Sequence, residues 1–226
     1  MRLRPSIFLN RAERRAAFDR ADLYPVVTSS FCLGRDPVLV FELLAKGGAK
    51  IIQIREKSYT DKRLYDLICA CRPIANDYGV LLMVDDRVDL ALAAQADGVH
   101  LGQDDVPIEA ARRVAPELLL GISTHNRDEI VAANQSAADY INIGPVFSTQ
   151  TKAVPYPALG LERLAELIAL VERPFTVMGG IKQDHLADLA QIGVNHVALV
   201  TAVTQSLQPD EQVREFRFRL QKSREP

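Results

Sequence analysis

Residues 81–105, LLMVDDRVDLALAAQADGVHLGQDD, contain one complete unit of the architecture. Leu81 to Val84 is a short apolar run of strand length that stops on Asp85-Asp86. A helix-period segment follows. Gly98 to Leu101 is a second apolar run, and it stops on Gln103-Asp104-Asp105. A strand, a helix and a strand in so short a span imply parallel pairing through a crossover. Both strands carry their polar residues at the C-terminal end.

The same rhythm extends in both directions. Strands are predicted at Leu23 to Thr28, Ile51 to Arg55, Ala138 to Ile143, Leu119 to Ile122, Pro174 to Val177 and His196 to Val200. Helices fall between them, with start signals at Asp36-Pro37, at Asn126 with Glu129, and at Asp184. The last segment, Asp210 to Arg224, starts acidic and ends basic, as the helix dipole favours. Eight strand-helix units with right-handed crossovers predict an α/β fold, a closed (β/α)8 TIM barrel. An open doubly wound sheet is the alternative, but no G-x-G-x-x-G follows the first strand. Residues 1–22 form an arginine-rich N-terminal helical arm with Asn10 as N-cap, expected to pack across one end of the barrel or onto a partner subunit. The catalytic barrel domain is then 23–226.

Composition narrows the function classes. At 226 residues, with 48% hydrophobic and 25% charged, the chain suits one globular core. No apolar run approaches the roughly 18 residues of a membrane span, and arginines interrupt the N-terminus where a signal peptide needs its apolar stretch. The expected location is the cytoplasm. A net charge of −2 argues against nucleic acid as the main partner. Cys32, Cys69 and Cys71 match neither zinc nor redox spacing and are expected as reduced core or helix residues.

A barrel of this kind does its chemistry where the strands end. Gln53, Arg55 and Lys57 follow strand 2, at alternate positions that share a side if the strand persists. Carboxylates after strands 3 and 4 would face each other across one inter-strand step of about 4.8 Å. Such hard oxygen ligands suit Mg²⁺, although Asp86 and Asp105 could each simply cap a helix. Arg55 and Lys57 beside them match a diphosphate. After strand 6, in ADYINIGPVFSTQTK (residues 138–152), Thr149, Thr151 and Lys152 offer donors to an anion. Gly179-Gly180 and Val200-Thr201 end strands 7 and 8, where barrels often hold a phosphate through backbone N–H groups. Two anion sites at one mouth suggest two phosphorylated substrates.

The series QIREK, VDDRVDLALAAQADGVHLGQDD, GISTH, ADYINIGPVFSTQTK, VMGGI and HVALVTAV, in this order and spacing, resembles the thiamine phosphate synthase family over about Leu23 to Ser206. The resemblance implies a transferase that joins hydroxymethylpyrimidine diphosphate to hydroxyethylthiazole phosphate, or its carboxylate, with Mg²⁺ as cofactor and loss of diphosphate. It assigns Gln53, Arg55, Lys57 and Asp85 to the pyrimidine diphosphate, Asp86 and Asp105 to the metal, and Ser123 to the substrate pocket. It places Thr149, Thr151 and Lys152 between the substrates and gives the thiazole phosphate to Gly180, Val200 and Thr201. Arg55, Lys57 and Lys152 are the implied catalytic residues. Asp85 stands where the family usually has asparagine, Ser148 replaces a common proline, and Thr201 replaces a common serine.

Three rivals remain. A related thiazole tautomerase would use His125 for proton transfer, an aldolase-type barrel would use Lys152 as a Schiff-base amine, and a non-catalytic barrel would only bind or regulate. Residues 153–159, with Pro155 and Pro157, are a lid candidate. The expected partners are small-molecule substrates, with a homo-oligomer left open.

Overall fold

The computed structural model describes residues 4–149, 151 and 156–224. Eight parallel strands close into a barrel in sequence order, each paired with its neighbours and the last with the first. They are β1 (Leu23–Val27), β2 (Ile51–Ile54), β3 (Leu81–Asp85), β4 (Gly98–Leu101), β5 (Leu119–Thr124), β6 (Tyr140–Ile143), β7 (Phe175–Met178) and β8 (Val197–Leu199). All eight coincide with predicted strands to within two residues at either end. A helix follows every strand, as closure of a parallel sheet requires.

Alternation along each strand sorts side chains into two cores. Ile52, Ile54, Leu82, Val84, Val99, Leu101 and Leu120 point outward into the layer between barrel and helices. Tyr24, Ile51, Leu81, Met83, Leu119, Tyr140 and Ala198 point inward and fill the barrel. Both faces of each strand are covered, which is why the strands read as continuous apolar runs. Inside, large and small residues compensate. A Cβ on Gly121 would lie 2.1 Å from Cζ of Tyr140, its register partner, so that ring needs a glycine beside it.

The helix Arg11–Asp19, α1, closes the N-terminal end of the barrel. Asn10 caps it by accepting from the Glu13 N–H at 3.0 Å. Ala17, Phe18 and Ala21 join the interior core, and the Phe18 ring stacks on Tyr140 with centroids 4.4 Å apart. Arginines on the same helix reach aspartates at the strand starts: Arg11 Nε donates to Asp139 Oδ1 at 2.8 Å, and Arg14 Nε stands 3.7 Å from Asp97 Oδ1. Of the two places expected for the arm, this is the end of the barrel.

The caps at Asp36 and Asn126 form as expected. The Asp184 cap does not form. The 3-10 turn Gln183–His185 separates β7 from the helix Leu186–Gln191, so that helix begins at His185 without a side-chain cap. The final helix, Pro209–Lys222, is acidic in its first turn and basic in its last. Cys32, Cys69 and Cys71 are free thiols, and Cys32 and Cys71 are buried. No described helix is long and apolar enough to cross a membrane.

Candidate active site

The C-terminal ends of the strands surround a cavity of about 750 Å³. Gln53, Arg55, Asp85, Ser123, Thr149, Thr151, Gly180, Val200 and Thr201 all line it. Lys57, Asp86 and Asp105 are not among its lining residues, although Lys57 pairs with the lining residue Asp85; Lys152 and residues 153–155 of the lid candidate lie outside the described residues.

On the β2–β3 side, cations and carboxylates meet. β2 stops at Ile54, so Arg55 and Lys57 do not continue a strand. Arg55 N–H still donates to the Val27 carbonyl at 2.9 Å, which fixes where the loop departs. Lys57 Nζ lies 3.1 Å from Asp85 Oδ2 and also pairs with Asp86, and Arg55 Nε lies 3.4 Å from Asp85 Oδ2. Burial pushes the Asp85 carboxyl above the usual carboxylate range. Lys57 and Arg55 oppose that rise, and Asp105 adds to it.

Asp86 has φ 60°, the left-handed region that few non-glycine residues adopt. Its N–H donates to the His100 carbonyl at 2.9 Å. Neither Asp86 nor Asp105 caps a helix, because the next helices start from Arg87 and Pro107 with no side-chain cap. Asp105 Oδ2 instead accepts from the Gly102 N–H at 2.7 Å, closing the turn after β4. Among the described residues no cluster of three or more His, Cys, Asp or Glu could hold a metal alone. Asp86 and Asp105 could supply the one or two carboxylates that Mg²⁺ takes, its shell being completed by water and substrate phosphate.

A hydrogen-bonded chain crosses the barrel from this acidic corner. Gln53 Nε2 donates to Asp85 Oδ1 at 2.8 Å, and Tyr24 Oη donates to Gln53 Oε1 at 2.8 Å. Tyr24 and Tyr140 hydroxyls meet at 2.9 Å, Tyr140 meets His100 Nδ1 at 3.0 Å, and His100 Nε2 meets Ser123 Oγ at 2.8 Å. Ser123 is therefore held from behind, with its side chain at the cavity wall.

On the opposite side, the loop after β6 crosses the β7 end. Val146 and Phe147 N–H donate to the Met178 and Gly179 carbonyls, each at 2.9 Å. Gly179 (φ 107°) and Gly180 (φ 63°) permit this: a Cβ on Gly180 would lie 2.4 Å from the Ser148 carbonyl oxygen. The glycine pair therefore serves loop packing as well as open backbone at the cavity. Thr149 Oγ1 accepts from the Thr151 N–H at 3.2 Å, folding the threonine loop on itself. Val200 and Thr201 open the short helix Thr201–Thr204, whose first amides lack partners within it. His125 also lines the cavity; its Nδ1 is 2.6 Å from the Gly144 carbonyl and its ring stacks on Tyr156 at 4.1 Å.

Residues 23–203 match the model of the family described as thiamine monophosphate synthase. The chain belongs to the thiamine monophosphate synthase family. A thiamine-phosphate synthase from Caldicellulosiruptor saccharolyticus is 37% identical over 199 residues, covering 88% of this chain and 90% of that one. One from Chloroflexus aurantiacus is 40% identical over 181 residues, covering 80% and 84%. The solved thiamine phosphate pyrophosphorylase from Pyrococcus furiosus superposes with a TM-score of 0.83 at 32% identity, covering 92% of this chain and 98% of that one. As a member of the thiamine monophosphate synthase family, the chain is a transferase of thiamine biosynthesis.

Within this family member, sequence reasoning missed the residues of the barrel interior. Tyr24, His100, Asn142 and Thr176 all line the cavity. A signal for three of them was present: His100, Asn142 and Thr176 are single polar residues between apolar neighbours in short strands. Such a residue sits on the inward face with its apolar neighbours outward, so it borders whatever fills the barrel mouth.

Proposed function

We propose that this barrel couples an aminopyrimidine diphosphate to a thiazole phosphate, giving thiamine phosphate and diphosphate with the help of Mg²⁺. The observation that carries the reading is the pairing of opposites across one cavity. Arg55 and Lys57 converge on Asp85 and Asp86 at one side, and Gly180, Val200 and Thr201 expose backbone at the other. The pyrimidine diphosphate takes the first side and the thiazole phosphate the second.

The reaction breaks the bond between the pyrimidine methylene carbon and the diphosphate oxygen. The bonding electrons leave with diphosphate, and the electron-rich ring carries the positive charge. The thiazole nitrogen then supplies an electron pair to that carbon. Arg55, Lys57 and Lys152 stabilise negative charge growing on the leaving group, and Gln53 and Ser123 orient the ring. Asp86 and Asp105 would hold Mg²⁺, which when bound neutralises further charge on the departing diphosphate. Asp85 ties Arg55 and Lys57 together until a diphosphate replaces it as their anion. No general base is needed, because no proton leaves the attacking nitrogen.

In this reading, residues 1–22 are an arm, 23–226 the catalytic unit, and the cytoplasm its location. His125 Nδ1 lies against the Gly144 carbonyl and its ring stacks on Tyr156, and in this reading it is a wall residue. The test mixes protein, both substrates and either Mg²⁺ or EDTA, and follows thiamine phosphate by fluorescence after oxidation to thiochrome. Product that disappears with EDTA is expected. Folded protein that makes none with Mg²⁺ would return the choice to the isomerase.

A further inference from the structure

The cavity wall on β5, β6 and β7 carries three inward-facing polar residues in one row. Parallel register sets Ser123 beside Asn142, and Asn142 beside Thr176. The Ser123 hydroxyl is engaged by His100 Nε2 at 2.8 Å. The other two side chains differ. Asn142 is 4% exposed with Oδ1 unpartnered, and Thr176 is 0% exposed with Oγ1 unpartnered. Both residues line the cavity. The main chain of Asn142 is committed to the fold, its carbonyl accepting from Thr124 Oγ1 at 3.1 Å. Its side-chain Oδ1 has no such role. Apolar side chains of the same shape would fold at lower cost than unmatched buried acceptors, so two on adjacent strands call for a function.

We propose that Asn142 and Thr176 form a specificity pair that receives the exocyclic amino group of the pyrimidine diphosphate; this rests on the function proposed above. Carbonyl Oδ1 accepts only, and a threonine hydroxyl can accept. Of the two substrates, the thiazole phosphate offers ring nitrogen and phosphate oxygens, all acceptors. The amino group of the pyrimidine brings two N–H donors about 120° apart. Acceptors at about 2.9 Å along those directions stand about 5 Å from each other. Neighbouring strands are about 4.8 Å apart, so one amino group can span β6 and β7. Asn142 lies two residues before Gly144, and Thr176 two before Met178, so the pair sits below the loops that carry the phosphate contacts. The ring is then deep in the barrel, with its diphosphate toward Arg55 and Lys57. A site built to bond a donor rejects an analogue that lacks it, because its own polar groups are left unmatched.

The test titrates the aminopyrimidine diphosphate and its des-amino analogue into the Mg²⁺-loaded protein by calorimetry, alongside steady-state kinetics. Wild type is expected to prefer the amino compound about tenfold or more. Thr176→Val and Asn142→Ala should each lose about three- to tenfold in affinity for the amino compound alone. The KM for thiazole phosphate should stay within about twofold in both, because the lost bond is not made to that substrate. Thr176→Ser, which keeps the hydroxyl, should restore the preference. The thermal midpoint of Thr176→Val should match or exceed that of wild type, since an unmatched hydroxyl is removed. If wild type turns over and the valine and alanine variants keep the wild-type ratio between the two compounds, the pair has no such role and the functional reading stands. If wild type makes no thiamine phosphate, that reading falls. The titration then judges the pair alone: failure to bind the pyrimidine, or to distinguish its amino form, overturns it.

Discussion

At the residue scale, Asp85 is the most constrained group in the candidate site. It accepts from Gln53 and meets two cations, and burial pushes its carboxyl above the usual range while those cations oppose the rise. Arg55 and Lys57 therefore face an internal anion that a diphosphate must displace. Arg55→Ala removes a charge-assisted contact and should lower kcat/KM for the pyrimidine diphosphate about 10- to 150-fold. Lys152→Ala should lower turnover far more than folding stability. Rates with each substrate varied, together with thermal midpoints, decide both; a near-normal turnover number in Lys152→Ala removes that lysine from the catalytic set.

At the scale of elements, α1 is an internal stopper. Phe18 is 2% exposed and lies against Tyr140, a member of the chain that runs to His100 and Ser123. Phe18→Ala should cost about 3–5 kcal/mol and loosen Tyr140 from below. Urea denaturation measures the first effect, and an unchanged midpoint would show that α1 adds nothing to the core. The strand starts explain how α1 and three of the outer helices are held. Ala-Asp precedes β1, β4 and β6 as Ala21-Asp22, Ala96-Asp97 and Ala138-Asp139. Each aspartate is buried and meets an arginine: Arg217 at Asp22, Arg72 at Asp97, and Arg112 and Arg11 at Asp139. Asp97 and Asp139 also accept backbone N–H groups from Leu82 and Leu120. That recurring dipeptide was legible in the sequence. Its arginine partners were not, since they lie up to 195 residues away.

At the scale of the molecule, the two ends of the barrel differ in purpose: one is plugged and ion-paired, the other open and polar. The plugged end is expected to lose stability in acid. His196 stacks on Phe18 with centroids 5.1 Å apart, and its Nδ1 is buried without a partner. Burial lowers its pKa, and Arg224 lowers it further against the opposing pull of Asp19 and Asp22. A histidine with a depressed folded pKa contributes stability above its unfolded value, roughly 6.5, and loses it as pH falls through the folded one. His196→Gln should therefore flatten the decline in thermal midpoint between about pH 7 and about pH 5. Parallel curves for variant and wild type would exclude His196 as the cause.

Chain order and local pattern determined much of this protein. Short apolar runs alternating with capped helices specify eight parallel strands, because each strand buries both faces and each crossover has one hand. Polar residues at strand ends specify which mouth carries the chemistry. Tertiary structure decided the rest. It brought Lys57 to Asp86 after β2 had already ended, it showed that Asp86 and Asp105 cap no helix, and it seated α1 under Tyr140. It also joined Asp85 to Ser123 through four residues from four strands. Closure of the barrel turns strand positions distant in sequence into neighbours across a lumen, and no local period encodes which inward side chains will meet there.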